Sequence, residues 1–288
     1  SLLYDPSSDG NINETVRQGA QAMVTDCVET RRSGKTTWAY RLESGDYVLA
    51  YNTEVVGQGT ARPSFTGASA AQTASGETLT FTGNGTPLAY TNLVDGRLEM
   101  DFYDADFSPD FTVTGSSMVS GVTVTPESDH TRVTLSFTQP IWGHTVEYAD
   151  GTTQVLLKKT PVRSDMFGRP LAGVTVLLDA GHGDHDNGAM GAAGYGAPVE
   201  KDVNLALTLA AKYRLEQMGA SVQTIRTDDS FLSLEDRNRA ISTGQPDFFI
   251  AIHHNSVELT VDANRQTGTE CYYFYPAGKR LAQTLVQN

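Results

Sequence analysis

The first part of the chain shows a hydrophobic period of two. Apolar side chains occupy every second position in Arg97–Phe102 and again in Thr131–Phe137, which is the pattern of a strand with one buried face. The dipeptides Asp95-Gly96 and Asp150-Gly151 stand between such runs, and both residue types tolerate the positive φ angles of a two-residue hairpin turn. The pattern therefore predicts an antiparallel all-β region over residues 1–160.

A charged stretch with two prolines and no periodicity follows, and we assign residues 161–172 to a linker. Beyond the linker, the continuous apolar run Val174–Leu178 predicts a strand that is buried on both faces. Further predicted strands are Val222–Ile225, the buried Asp247–Ile252, and Glu270–Tyr275.

Helical patterns separate these predicted strands. An apolar stripe runs along Lys201–Met218, and Gly219 ends that helix as a C-cap. The stripe consists of Val203, Leu207, Ala211, Leu215 and Met218. The capping box Ser233-Leu-Glu-Asp236 begins a second helix, and a third begins near Lys279. Strands that alternate with helices predict an α/β domain over residues 173–288, with a twisted, mostly parallel sheet flanked by helices.

Composition excludes several function classes. The 288 residues carry a net charge of −13, so no basic face is available for nucleic acid, and we predict no such partner. No apolar run approaches the ~20 residues that cross a bilayer, which predicts no membrane span. Cys27 and Cys271 form no C-x-x-C pair, which excludes a thiolate zinc site, and whether they pair with each other stays open.

Candidate chemistry lies in the second part, which holds four of the six histidines. His182 and His253 each follow a predicted buried strand, and Glu200 begins the first helix after a glycine-rich loop. The carboxyl ends of strands line the ligand crevice of an open α/β sheet, so these three side chains are expected to converge. Two imidazoles and one carboxylate are the protein ligands of many catalytic zinc sites.

The residues alone leave other interpretations open. A histidine after a strand is often a hydrogen-bonded structural residue, and the Glu200 carboxylate at a helix start also favours the helix dipole. His185 and His254 are spare candidate ligands. Asp179 is expected to accept hydrogen bonds that fix the loop, and Asp184 and Asp186 are expected to be turn residues. His130 and His144 are isolated in the β region and read as structural.

The motif Val176-Leu-Leu-Asp-Ala-Gly-His-Gly183 resembles the opening signature of the zinc-dependent N-acetylmuramoyl-L-alanine amidases of the amidase 3 family. Further matching blocks follow in the family's order, at Asp186–Ala189, Glu200–Asn204, Arg226–Asp228, Leu234–Arg237, Phe249–Ser256 and Gly268–Tyr273. The resemblance implies that His182, Glu200 and His253 bind Zn²⁺. It also implies that a zinc-activated water hydrolyses the amide bond between N-acetylmuramic acid and L-alanine in peptidoglycan. The expected partners are the stem peptide and the glycan, and the expected location is extracellular or in the cell wall.

One element of the family pattern is not found in the 288 residues. The family has a second glutamate that acts as the general base, and we expect it beyond Asn288, so no catalytic residue is assigned here and the domain is expected to be incomplete at its C-terminus. The chain could then be a catalytically silent peptidoglycan-binding or regulatory module. Another zinc amidohydrolase or carboxypeptidase with the same ligand set is a third interpretation. Residues 1–160 resemble an accessory region that could target the wall.

Overall fold

The structure is a computed structural model that describes residues 2–7, 12–14, 16–32, 34–57, 62–191, 196–256, 268–273 and 278–287. Contacts divide the chain into two compact units. The β unit comprises Ser1–Thr160 with Tyr272–Asn288, and the α/β unit comprises Pro161–Cys271. The domain boundaries derived from the sequence stay a prediction.

The β unit begins with a five-stranded sheet. Its strands are β1 (Leu2–Leu3), β2 (Ile12–Glu14), β3 (Val24–Arg32), β4 (Lys35–Leu42) and β5 (Tyr47–Leu49). They are ordered β2-β1-β5-β4-β3, and every pair in this sheet is antiparallel. A short 3-10 helix, Ala50–Asn52, follows β5.

Two further sheets of the β unit share one apolar core. A five-stranded sheet contains β6 (Ser64–Gln72), β7 (Gly76–Asn84), β10 (Asp106–Thr114), β13 (Ile141–Ala149) and β14 (Thr152–Lys159), in the order β10-β6-β7-β14-β13. A four-stranded sheet contains β8 (Ala89–Val94), β9 (Arg97–Tyr103), β11 (Val119–Pro126) and β12 (His130–Phe137), in the order β11-β12-β9-β8. The most deeply buried core side chains come from both sheets, and include Phe65, Leu79, Leu98, Phe102, Val133 and Val155.

The period of two is confirmed where the sequence predicts it. Leu98, Met100 and Phe102 of β9 are all 0% exposed. Asp95 and Gly96, with φ of 49° and 74°, form the turn between β8 and β9. The corresponding Asp-Gly pair between β13 and β14 has the same two positive φ angles, 50° and 73°. Both hairpin turns are therefore confirmed.

The prediction that the β region is antiparallel throughout is wrong at one pair, because β10 runs parallel to β6. The chain leaves this sheet after β7, forms the β8–β9 hairpin in the other sheet, and returns beside β6. A hairpin forces neighbouring strands to be antiparallel, whereas a crossover of this length permits the parallel direction. The alternating pattern itself is the same for both directions, so the sequence does not distinguish them.

The α/β unit is built around a three-stranded parallel sheet. Its strands are β15 (Thr175–Ala180), β16 (Ser221–Thr224) and β17 (Phe248–Ile252), with β15 in the centre. Helix α1 (Glu200–Gln217) packs against all three strands, and helix α2 (Leu234–Gly244) packs against β15. Helix α3 (Lys279–Gln287) lies in the segment grouped with the β unit. A β-rich region followed by a region of strands and helices is thus established, while a mostly parallel sheet flanked by helices stays a prediction.

Two helix boundaries agree with the sequence signals. The Ser233 side chain accepts a hydrogen bond from the Asp236 N–H and caps α2, and Gly219, with φ of 98°, follows the end of α1.

The predicted strand Glu270–Tyr275 is wrong over Glu270–Tyr273, and its last two residues lie outside the described residues. Tyr272 is 84% exposed, so the aromatic run here does not reflect burial. Within the described residues, no helix is long and apolar enough to cross a membrane.

The apolar stripe assigned to α1 is wrong in part. Leu207 and Met218 are 49% and 42% exposed, whereas Glu200, Asn204 and Thr208 are buried. The N-terminal half of this helix therefore buries a polar face, and burial of a polar group is unfavourable unless the group is hydrogen-bonded. The partners of Glu200 and Asn204 belong to the candidate site.

Candidate metal centre

The ends of two neighbouring parallel strands bring two histidines together. Ala180 at the end of β15 pairs with Ile252 at the end of β17, and the Gly181 N–H donates to the Ile252 carbonyl at 3.0 Å. His253 follows Ile252 directly, and His182 follows Gly181. As a result, the two imidazole ring centroids lie 4.9 Å apart, with an angle of 80° between the ring planes.

Glu200, the first residue of α1, completes the cluster. Its Oε1 lies 3.1 Å from Nε2 of His182 and 3.1 Å from Nδ1 of His253. The potential ligand atoms of the three residues all lie within 4.8 Å of one another, and this is the one such group among the described residues. The structure therefore places together the three side chains that the sequence analysis selected.

The donor set of this cluster fits a metal ion. Two imidazole nitrogens and a carboxylate oxygen are typical zinc ligands, with bonds of about 2.0–2.2 Å. Ligands at that distance around a tetrahedral ion lie roughly 3.4 Å from one another, close to the 3.1 Å that separates the Glu200 oxygen from each imidazole. The cluster could thus hold a metal ion after small adjustments of the side chains.

Hydrogen bonds keep the Glu200 carboxylate charged. Burial raises the pKa of Glu200, but the Ala189 and His254 backbone N–H groups, at 2.8 and 3.0 Å, outweigh it and bring the pKa below its usual 4.5. Asn204 adds a further hydrogen bond at 3.3 Å. An anionic carboxylate is therefore available as a ligand at neutral pH.

A carboxylate in the glycine-rich loop orients the first histidine. Nδ1 of His182 lies 2.8 Å from Oδ2 of Asp186, and this contact leaves Nε2 to face Glu200. A second carboxylate oxygen of Asp186 accepts from the Gly188 N–H at 3.2 Å. The hydrogen bond with His182 also lowers the pKa of Asp186. A carboxylate behind a metal-ligating histidine fixes its tautomer and ring orientation.

From the sequence, Asp186 is predicted only as a turn residue. It does form a turn, through backbone hydrogen bonds in both directions with Gly183 at 3.0 and 3.1 Å, but its contact with His182 was missed. The spacing of four residues was the available signal, and it is weak because the loop is not helical. Residues 192–195 of the same loop lie outside the described residues.

Two glycines make room for the ligand side chains. A Cβ atom on Gly181 would lie 2.1 Å from the ring of His253. A Cβ atom on Gly188, which has φ of 64°, would lie 2.6 Å from the ring of His182 and 2.7 Å from a carboxylate oxygen of Glu200. Neither approach is possible for a residue with a side chain, so these glycines are required by the cluster itself.

A buried arginine holds the carbonyl groups next to two of the candidate ligands. Arg226 is 3% exposed, and its guanidinium donates to the carbonyls of Ala180, Gly181 and Lys201 at 2.8, 3.0 and 2.8 Å. These residues adjoin the segment that carries His182 and the start of α1. Arg226 therefore joins two ligand-bearing segments, a role that its motif block did not reveal.

Arg237 of α2 performs a related task at the end of β15. Its guanidinium forms a buried ion pair with Asp179 and donates to the His182 carbonyl at 3.0 Å. The Asp179 carboxylate is thus an acceptor that fixes the strand end. His182 itself has φ of 66°, an uncommon conformation for a residue with a side chain, which persists only where the surroundings hold it.

The spare ligands proposed from the sequence lie outside the cluster. His185 has a 70% exposed side chain, contacts Asp184 at 3.1 Å, and stacks on Phe231 with ring centroids 4.4 Å apart. The Asp184 N–H donates to Asp229, as expected for a loop residue. His254 points its Nδ1 at Oδ1 of Asn204, 2.7 Å away.

The two histidines of the β unit have structural contacts. Nε2 of His144 lies 2.9 Å from Oγ1 of Thr91, and burial lowers the pKa of His144 to about 4. Nδ1 of His130 lies 2.8 Å from the carboxylate of Asp129. Neither belongs to a three-residue group that could bind a metal within the described part of the chain.

Comparison with known proteins relates the sequence of the α/β unit to a family. Residues 176–288 match the sequence model of the Amidase_3 family, described as N-acetylmuramoyl-L-alanine amidase. Uncharacterized protein YqiI of Bacillus subtilis is 40% identical over 104 residues, which cover 36% of this chain and 46% of that protein. N-acetylmuramoyl-L-alanine amidase LytC of Bacillus subtilis is 36% identical over 139 residues, which cover 46% of this chain and 26% of LytC.

The chain thus spans less than half the length of these curated relatives. Among solved structures, the catalytic domain of CwlV, an N-acetylmuramoyl-L-alanine amidase from Bacillus (Paenibacillus) polymyxa var. colistinus, is 34% identical. That match covers 40% of this chain and 61% of the CwlV chain, with a TM-score of 0.36. The resemblance inferred from the ordered motifs is confirmed: residues 176–288 match the Amidase_3 family of N-acetylmuramoyl-L-alanine amidases.

Proposed function

We propose that this chain carries the metal-binding part of a zinc-dependent N-acetylmuramoyl-L-alanine amidase, with His182, Glu200 and His253 as the zinc ligands. The enzyme hydrolyses the amide bond between N-acetylmuramic acid and L-alanine in peptidoglycan. The observation that carries this proposal is the convergence of the three side chains from separate segments at the ends of two parallel strands. The family match over residues 176–288 supports the reaction class.

The three candidate ligands would have different roles at a bound metal ion. Glu200 supplies the negative charge, and its 6% exposed side chain forms the closed side of the cluster. His182 presents Nε2 because Asp186 holds Nδ1. His253 has a 52% exposed side chain, so a substrate carbonyl would approach from its side. A bound zinc ion lowers the pKa of a water to about 7 and polarises a substrate carbonyl, and amide hydrolysis needs both effects.

We assign no general base within the described residues. The carboxylate of Asp186 is engaged by His182, and the other contacts of Glu200 come from N–H groups. The glutamate that the family resemblance implies beyond Asn288 stays a prediction. A catalytically silent peptidoglycan-binding or regulatory module therefore stays the second candidate, since positioned proton transfer is typically worth ~10²–10⁴-fold in rate.

The proposed site of action is outside the cell or in the cell wall. The names of similar proteins support this, because LytH of Staphylococcus aureus, 34% identical over 116 residues, is called a probable cell wall amidase. We further propose that the β region targets the wall. Deleting residues 1–160 should then weaken binding to isolated cell walls, and unchanged binding would count against this role.

The deciding experiment combines metal analysis with product identification on purified muropeptides, using the 288-residue chain and the longest product of its gene. Zinc in the protein, together with release of L-alanine-terminated stem peptide from N-acetylmuramic acid, would support the amidase. Zinc without any product would favour the silent module, and cleavage at a bond inside the stem peptide would favour a carboxypeptidase. Absence of zinc would defeat both enzyme candidates.

A further inference from the structure

Asn204 lies one turn after Glu200 on the buried face of α1. It is 0% exposed, and both the NH₂ group and the oxygen of its side-chain amide form hydrogen bonds. Nδ2 donates to the Gly181 carbonyl at 3.2 Å and to the Glu200 carboxylate at 3.3 Å. Oδ1 lies 2.7 Å from Nδ1 of His254. The hydrogen-bond needs of a buried amide are therefore met entirely by the candidate metal centre.

The chemistry of these partners fixes the orientation of the amide. The Gly181 carbonyl and the Glu200 carboxylate can only accept, so the NH₂ group must face them. Oδ1 then faces His254, whose Nδ1 must carry the proton that it donates. The opposite orientation would place an oxygen against two acceptors, which is unfavourable at a buried site.

These three contacts lead to all three ligand-bearing segments. Gly181 immediately precedes His182, Glu200 is itself a ligand candidate, and His254 immediately follows His253. One side chain thus spans the end of β15, the start of α1 and the end of β17. Such a residue can set the separation between the three ligands without touching the ion.

Thr208 shows that helix packing alone does not demand this polarity. It lies on the next turn of the same face and is also 0% exposed, yet its hydroxyl has no hydrogen-bond partner within the described residues. Among the residues that the structure describes, this face of α1 therefore leaves the Thr208 hydroxyl unpaired, whereas both polar atoms of the Asn204 side chain are hydrogen-bonded. Of the two residues, the hydrogen-bonded one is the one next to the candidate ligands.

We propose that Asn204 is a positioning residue for the metal centre, in that its amide holds the His182, Glu200 and His253 segments at the separation that lets one cation bind all three. This inference rests on the proposed metal-binding function. It predicts that removing the amide impairs metal binding while the fold persists.

The test compares Asn204→Leu, similar in size, and Asn204→Ala, which cannot overpack, with the matched control Thr208→Val. Zinc affinity is measured by competition with a chromophoric chelator, and the visible absorption of bound Co²⁺ reports ligand geometry. Circular dichroism and thermal unfolding of the metal-free proteins establish that each variant folds. Both Asn204 variants should bind zinc about 10–100-fold more weakly and show an altered Co²⁺ spectrum, and Thr208→Val should behave like the parent chain.

Each other outcome has a distinct meaning. Folded Asn204 variants with the parent affinity and Co²⁺ spectrum would overturn the positioning role. Unfolding of both Asn204 variants, or an equal loss in Thr208→Val, would also overturn it, because Asn204 would then support the helix in general. If the parent chain itself bound neither ion, the proposed metal centre would fail, and that result is separate from failure of the Asn204 proposal.

Discussion

Among the described residues, each unit of the molecule buries one glutamate, Glu77 in the β unit and Glu200 in the α/β unit. In both, burial opposes ionisation, and hydrogen bonds from neutral donors outweigh it and lower the pKa. No lysine or arginine is among the hydrogen-bond donors to either carboxylate described here. The two regions therefore reach the same charge state by the same means.

The two carboxylates differ in what else their oxygens face. Glu77 accepts from the Ser117 hydroxyl and N–H, both at 2.7 Å, from the Met118 N–H at 3.1 Å and from Gln72 at 2.5 Å, and it also contacts the Ser116 hydroxyl. These partners satisfy it without a cation. Oε1 of Glu200 also faces two imidazole nitrogens. A buried carboxylate thus becomes a ligand candidate because other ligand atoms converge on it, and its lowered pKa alone does not identify it.

The largest expected effect tests whether Glu200 lies in a metal site. His182→Ala or His253→Ala should abolish stoichiometric zinc, because a two-ligand remnant binds weakly. The stabilisation that zinc confers, about 2.7 kcal/mol at a free zinc concentration of 100 Kd, should disappear with it. Metal analysis and denaturant unfolding measure these effects. His185→Ala, an exposed histidine of the same loop, should keep its zinc, and full zinc occupancy in either ligand variant would defeat the assignment.

An effect of similar size in free energy, but without loss of a ligand, tests the structural glutamate. Glu77→Gln should lower the free energy of unfolding by about 3 kcal/mol at neutral pH, since the pKa falls from 4.5 to about 2 and each pKa unit corresponds to roughly 1.4 kcal/mol. Urea denaturation measures the loss, and added zinc should not reduce it. Glu127→Gln, at an exposed glutamate in the turn between β11 and β12, should have little effect. Equal stability of the two variants would show that the Glu77 contacts contribute nothing.

The pH dependence of the unfolding free energy provides a second test of Glu77. Because the folded-state pKa of Glu77 is about 2 and its usual value is 4.5, its contribution is fully present above pH 4.5 and is lost as the pH falls towards 2. The difference in unfolding free energy between the parent chain and Glu77→Gln should therefore narrow across this range. Urea denaturation at several pH values measures it, and a constant difference would contradict the lowered pKa.

A smaller effect is expected from the carboxylate behind His182. Asp186→Ala should weaken zinc binding about 10–100-fold, because the imidazole loses the contact that orients it, while Asp186→Asn can keep a hydrogen bond and should lose less. Chelator competition gives the affinities. Asp184→Ala removes the same charge from the same loop and serves as the control, and a similar loss in it would mean that charge rather than orientation matters.

The smallest effect concerns the helix that carries Arg237. Ser233→Ala removes the N-cap of α2, whose hydroxyl accepts from the Asp236 N–H at 3.1 Å, and should destabilise the protein by about 1 kcal/mol. Thermal unfolding measures it. Thr243→Ala, near the end of the same helix, removes a hydroxyl that caps no free N–H group and should be close to neutral.

Local sequence patterns are sufficient to predict the features that depend on neighbouring residues. The alternation of Leu98, Met100 and Phe102, the two Asp-Gly turns and the Ser233 cap each arise within a few residues, so local pattern predicts them. The three ligand candidates were also within reach, because strand ends and a helix start have local signals and ordered motifs match a family.

Contacts between distant polar groups depend on the complete fold. The parallel pairing of β10 with β6, the polar face of α1 and the contact of Arg226 with Gly181, 45 residues away in the sequence, leave no periodic trace. The hydrophobic pattern specifies which faces are buried, but buried polar groups are placed by hydrogen bonds between segments that the fold alone brings together. For that reason the motif blocks that contain Asp186, Asn204 and Arg226 did not reveal the contacts of these residues with the segments that carry the candidate ligands.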